Sequence, residues 1–105
     1  MTLAHLNDAN FIEETKTGLA LIDFWAPWCG PCRMFGPVFE SAANAHADIK
    51  FCKFEIDDAN RIVPAKFGIR SIPSVLAFKD GNLIEAKSGL MSPGDLDDWI
   101  AKLKK

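Results

Sequence analysis

The residues best equipped for chemistry are two cysteines spaced by two positions in the run Trp28-Cys29-Gly30-Pro31-Cys32. Thiol–disulfide exchange needs one thiolate to attack a disulfide and a second thiol to resolve the mixed disulfide that results. A Cys-x-x-Cys pair at the start of a helix supplies both. Cys29, just before the helix, meets unpaired backbone amides and the positive end of the helix dipole, which stabilise a negative sulfur. Cys32, one turn inward, stays a buried and less acidic thiol. Two intervening residues bring the sulfurs within bonding reach with little backbone motion. Pro31, in the first turn, sacrifices no hydrogen bond and stiffens the loop, which favours a reductant over a loosely poised oxidant.

Two other uses of such a pair compete. Cys-x-x-Cys is half of a structural zinc site, but four ligands are needed. The remaining candidates, Cys52, His5 and His46, do not stand at ligand spacing, so no metal site is expected. The pair could also form a static disulfide, although three cysteines are too few and too unevenly placed for a disulfide framework. One reactive pair plus a lone cysteine fits a reducing compartment. Cys52, between aromatic neighbours in a strand pattern, reads as a small buried hydrophobe.

The elements around the pair follow from periodicity. Asn7 or Asp8 is expected to cap a helix running to about Thr17, with Phe11 and Ile12 on its inner face, ended by Gly18. Leu19 to Trp25 is apolar on both faces except at Asp23, the pattern of a central strand covered on each side. Ala26 to Pro31 forms the turn, and a helix runs from Cys32 to about His46 with Pro37 kinking its middle. Ile49 to Ile56 reads as a strand, and Asp57-Asp58 as the start of a short helix to about Phe67. Ser74 to Lys79 and Asn82 to Lys87 pair across an Asp80-Gly81 turn, and Gly89 breaks the pairing. Ser92 caps a last helix with Pro93 at its first position and an apolar stripe of Leu96, Trp99, Ile100 and Leu103. A βαβ half followed by a ββα half predicts an α/β fold, with a mixed sheet flanked by helices on both faces.

Bulk properties narrow the function. At 105 residues the chain is expected to be one domain, residues 1–105. A net charge of −2 gives no basic surface for nucleic acid or an anionic membrane. The longest apolar stretch, around residues 19–27, is too short to span a bilayer. The residues Met1 to His5 lack the basic and apolar regions of a secretory signal, an argument for the cytosol. No Gly-rich nucleotide fingerprint is present, so no nicotinamide, flavin or other cofactor is expected. His5 and His46 read as surface polar residues, and Met34 and Met91 as packing or surface residues.

The run from Asp23 through Cys32, followed by Arg33-Met34-Phe35-Gly36-Pro37, closely resembles the thioredoxin family. So do Lys53 before Ile56-Asp57, the run from Lys66 to Ser74 that contains Ile72-Pro73, Phe78-Lys79-Asp80-Gly81, and Gly89. The resemblance covers essentially the whole chain in order and spacing, and it implies the thioredoxin fold. Thioredoxins are themselves the standing example of a Cys-x-x-Cys thiol lowered from ~8.5 toward neutrality, so that lowering is a family property. The resemblance implies that Asp23 accepts the proton of Cys32 through a water, a role that burial suits by raising a carboxyl pKa. Lys53 on the neighbouring strand is its expected partner. The resemblance also implies a cis peptide at Ile72-Pro73 facing the dithiol. Trp28, Gly30, Pro31, Ile72, Pro73 and Gly89 would then line an apolar groove for an extended substrate peptide. Trp25 is expected to pack beneath the site.

The implied activity is reduction of disulfides in target proteins by a cytoplasmic monomer, with a thioredoxin reductase restoring the dithiol and no nucleic-acid or membrane partner. Two alternatives stand beside it: an exported thioredoxin-like oxidant or isomerase, and a redox-inert binding or assembly subunit that uses the same groove. Departures from the common pattern are a slightly longer short helix after Asp57, Ser74 for a frequent threonine, Ala42 for a larger apolar residue, Trp99 in the last helix, and no tyrosine.

Overall fold

A computed structural model describes residues 3–105; Met1 and Thr2, which entered the reading of the amino terminus, lie outside them. The elements in order are β1 (Ala4–Leu6), α1 (Phe11–Thr15), β2 (Leu19–Trp25), α2 (Gly30–Ala45), β3 (Lys50–Glu55), α3 (Ile62–Lys66), β4 (Ser74–Lys79), β5 (Asn82–Ser88) and α4 (Pro93–Leu103). They form one five-stranded sheet in the order β1-β3-β2-β4-β5. β1 and β2 run parallel to β3, whereas β4 is antiparallel to both β2 and β5. The sheet is therefore mixed, as expected, with β2 at its centre.

β2 is apolar on both faces because each face is covered. Side chains alternate across a strand, so Leu21 joins Phe35, Phe39, Leu96 and Ile100 under α2 and α4. Ala20, Ile22 and Phe24 point the other way and pack with Phe11 and Val63 of α1 and α3. Phe11 meets Phe24, Phe54, Phe67 and Phe78 with ring centroids 5.3–6.2 Å apart, an aromatic cluster that fixes α1 to the sheet. Cys52 is fully buried in this second core, and burial pushes its thiol up to about 11.

The amino-terminal expectations need correction. The expected order began with a helix, but a strand, β1, comes first. Its residue Leu6 is buried while His5 is exposed, the alternation of a half-covered edge strand. α1 is five residues rather than a helix from Asn7 or Asp8 to Thr17. The reason is local hydrogen bonding: Asn7 and Asn10 exchange side-chain-to-backbone bonds at 2.8 and 2.9 Å, which compete with helix formation. Asp8 caps a different helix, accepting from Ile62 N at 3.0 Å and Val63 N at 2.9 Å of α3. Phe11 and Thr15, one turn apart, take the inner face of α1, and Ile12 is 74% exposed rather than inward.

α3 likewise begins at Ile62 instead of Asp57-Asp58, because the Asp57 carboxylate accepts from Ala59 N at 2.9 Å and closes a turn of its own. Asp80 (φ 50°) and Gly81 (φ 85°) both take positive φ, the conformation a two-residue hairpin turn requires. α4 is capped as expected, with Ser92 Oγ accepting from Asp95 N at 3.1 Å. Its stripe of Leu96, Trp99, Ile100 and Leu103 is buried, and the Trp99 indole donates to Glu85 on β5 at 3.0 Å. No helix among the described residues is long and apolar enough to cross a membrane.

Candidate active site

At the carboxyl end of β2 the chain turns through 26–29 and enters α2, a 16-residue helix that continues through Pro37. It starts two residues earlier than expected, at Gly30, so Cys29 is the capping residue. The Cys29 sulfur accepts from Cys32 N at 3.2 Å, the contact an N-cap side chain makes with the third helical amide. Cys29 N–H donates to Ala26 O at 3.1 Å, and the Arg33 guanidinium donates to Pro27 O at 3.1 Å. These bonds fix both sides of the turn. Cys29 and Cys32 are joined by a disulfide, with Cα atoms 5.2 Å apart.

The Ile72–Pro73 peptide is cis, and the loop that carries it faces the dithiol. Ile72 packs against Ala26, Cys29 and Cys32, and its carbonyl oxygen lies 3.8 Å from the Cys29 sulfur. Gly89, at φ 93°, donates from its amide to Pro73 O at 2.8 Å. Trp28 is 75% exposed beside the pair, with Pro31 exposed and Gly30 partly so. Ile72 thus lies against Cys29, Gly89 is bonded to Pro73 behind it, and Trp28, Gly30 and Pro31 flank Cys29 along the chain.

Asp23 shares a face of β2 with Leu21, the face covered by α2. It is fully buried, and neither carboxylate oxygen has a hydrogen-bond partner in the protein. Burial pushes its carboxyl up to about 7, against the charge of Lys53, which acts to lower it. Lys53 stands opposite Asp23 in the β2–β3 register. The expected direct pairing is absent: Lys53 is half-buried, and its ammonium sits 4.7 Å from the centroid of the Trp25 ring, a cation–π contact. Gly36 of α2 lies beside the same ammonium, close enough that a Cβ there would be 3.6 Å from it. Trp25 packs on the Ala26, Cys29 and Cys32 cluster from beneath, as expected.

Sequence reasoning gave no role to Arg33, whose clasp on Pro27 depends on the fold of the turn. Among the described residues no group of three or more His, Cys, Asp or Glu side chains is arranged to hold a metal. His46 instead lies against Asp97 at 3.4 Å and Lys104 at 3.0 Å on the surface.

A mixed α/β sheet that presents a Cys-x-x-Cys pair at a helix start, facing a cis-proline loop, defines a thiol–disulfide oxidoreductase. The thioredoxin family model matches residues 2–102. The chain is 43% identical to the thioredoxin of Listeria monocytogenes over 98 residues, 92% of this chain and 94% of that one. It is 38% identical to the thioredoxin of Bacillus subtilis over 103 residues, 97% and 98% of the two chains. The thioredoxin of Porphyra purpurea is 38% identical over 105 residues, 97% of each chain. The chain belongs to the thioredoxin family, and with the Cys29–Cys32 pair it is a protein-disulfide reductase.

Proposed function

We propose that Cys29 is the attacking thiol and Cys32 the resolving one. The carrying observation is the cap: the Cys29 sulfur already accepts a helix amide at 3.2 Å, an interaction that favours its anionic form. The Cys29 thiolate attacks one sulfur of a target disulfide, which breaks, and the other target sulfur leaves as thiolate and takes up a proton. Asp23 then accepts the Cys32 proton, relayed by a water. The Cys32 thiolate attacks the Cys29 sulfur, the bond from Cys29 to the target breaks, and the second target sulfur departs as a thiolate and takes up a proton. The products are a target dithiol and the Cys29–Cys32 disulfide; two electrons have moved to the target.

A carboxyl pushed up to about 7 suits a base working near neutral pH. Lys53 holds a positive charge beside it and keeps the ionised form accessible. Trp28, Gly30, Pro31, Ile72, Pro73 and Gly89 receive the target as an extended segment against the cis-proline loop. A thioredoxin reductase returns the two electrons, so the protein acts in electron transport and cell redox homeostasis. A single domain working as a monomer in the cytoplasm is the setting we propose. A buried lone cysteine next to one exchangeable pair suits a reducing compartment.

The test is reduction of insulin by dithiothreitol, with wild type and Cys32→Ser compared. Wild type accelerates the reaction; Cys32→Ser does not, and retains target protein as a mixed disulfide on Cys29. A wild type without acceleration would leave the binding-subunit alternative standing. A strongly oxidising reduction potential would instead favour the exported oxidant.

A further inference from the structure

A pocket of about 220 Å³ adjoins the cis-proline loop where β4 begins and β5 ends. Ile72 packs toward the cysteines, whereas Ser71 and Ser74, on either side of Ile72-Pro73, line the pocket. Ser88 lines it too, opposite Ser74 in the β4–β5 register, and precedes Gly89, whose amide donates to Pro73 O at 2.8 Å. One stretch of backbone therefore borders both the target groove and the pocket. Buried Leu76 supplies an apolar wall. The volume is below that of small-molecule sites, which start at ~300 Å³, and suits the end of a single side chain.

The free side-chain groups of the pocket can all donate. Arg70 lines it and has no carboxylate partner among the described residues. Ser74 spends its hydroxyl proton on Ser71 O at 2.6 Å, which leaves the hydroxyls of Ser71 and Ser88 as the free donors among the lining serines. No aspartate or glutamate lines the pocket. Lys87 borders it from β5, but strand alternation turns that side chain to the α4 face, among Glu85, Asp95 and Asp98. The pocket therefore presents one guanidinium fork and two hydroxyls, with no anion of the protein in its lining.

We propose that this pocket is a subsite for the target, taking a carboxylate side chain near the target's cysteine, held on Arg70 with Ser71 and Ser88 donating to it. The proposal rests on the reading of the cis-proline loop as the seat of an extended target segment. Such a segment turns alternate side chains the same way, so one set of positions faces the pocket. A guanidinium meets a carboxylate through two parallel bonds, which adds direction to attraction. Arg70 is exposed, so the pair ranks targets rather than anchoring them. No bond is made or broken in the pocket.

The probes are otherwise uncharged peptide disulfides carrying Glu, Gln or Lys in turn at each position flanking the target cysteine. They are reduced by the full-length protein in its dithiol form, with KM and kcat read separately. At one position or an alternating set, Glu should lower KM about fivefold relative to Gln, with kcat unchanged, and the gap should shrink in about 0.5 M NaCl. Arg70→Gln should abolish the gap, and Arg70→Glu should reverse it in favour of Lys. Equal KM for Glu and Gln at every position, or a gap that survives Arg70→Gln, overturns the proposal while leaving the reading of the dithiol intact. A wild type that reduces none of the peptides overturns that reading and the proposal with it.

Discussion

Replacing Asp23 by Asn should make the protein more stable, by an amount that grows with pH. The carboxyl is fully buried without a hydrogen-bond partner in the protein, and burial lifts it from 3.8 to about 7. Each pH unit between folded and unfolded pKa is worth about 1.4 kcal/mol, so the ionised form costs the fold about 4 kcal/mol. Below about pH 4 the group is neutral in both states and the cost is absent. Between about pH 4 and 7 the unfolded chain has released the proton and the folded one keeps it, so stability falls as pH rises. Above about pH 7 both states are ionised and the full cost remains. Asn has nearly the shape and polarity of the neutral acid but does not titrate. Urea denaturation at about pH 4 and about pH 8.5 should therefore show little difference at the lower pH and a gain of about 4 kcal/mol for Asp23→Asn at the higher one. A gap that is the same at both pH values would refute the reasoning. The same variant should slow resolution of the mixed disulfide, since it removes the proposed base.

Cys52, buried and pushed up to about 11, should resist iodoacetamide at pH about 8, where about one thiol in a thousand is ionised; mass spectrometry of the oxidised protein checks this. Asp8→Ala removes both side-chain bonds to the start of α3 and should cost about 1 kcal/mol in urea denaturation. Leu96→Ala opens a hole in the core between α4 and the sheet and should cost about 3 kcal/mol, with insulin reduction retained at temperatures where the variant stays folded.

Much of the architecture was legible because it rests on short-range patterns. Leu19 to Trp25 is an apolar run with a single polar interruption, and Ser92-Pro93 with the Leu96, Trp99, Ile100 and Leu103 stripe is a helix start and a helix face. Asp80-Gly81 marks a hairpin through residues that tolerate positive φ. What failed depended on distant partners. β1 is three residues long, too short for a period, and exists because β3 pairs with it across more than forty residues of chain. Asp8 looked like a cap for the helix that follows it, but its carboxylate reaches α3 more than fifty positions away. At the site, the cysteines and Asp23 were visible as residue types out of place in their surroundings. The position of Lys53 over Trp25 was not, because a flexible four-carbon stem chooses between a carboxylate and a ring only once the helix above it is set.

The ring closed by Cys29 and Cys32 spans three steps of the chain. A bond so local removes little freedom from the unfolded chain: the loop-entropy estimate is about 2 kcal/mol, against about 5 for a hundred-residue loop. The sheet, the cap and both cores hold the turn in place by other means. Opening the bond returns to the unfolded chain only this short loop's freedom, among the smallest such effects a disulfide can have. The redox bond is thus among the least costly cross-links the chain could carry, and most of what holds the turn lies outside it.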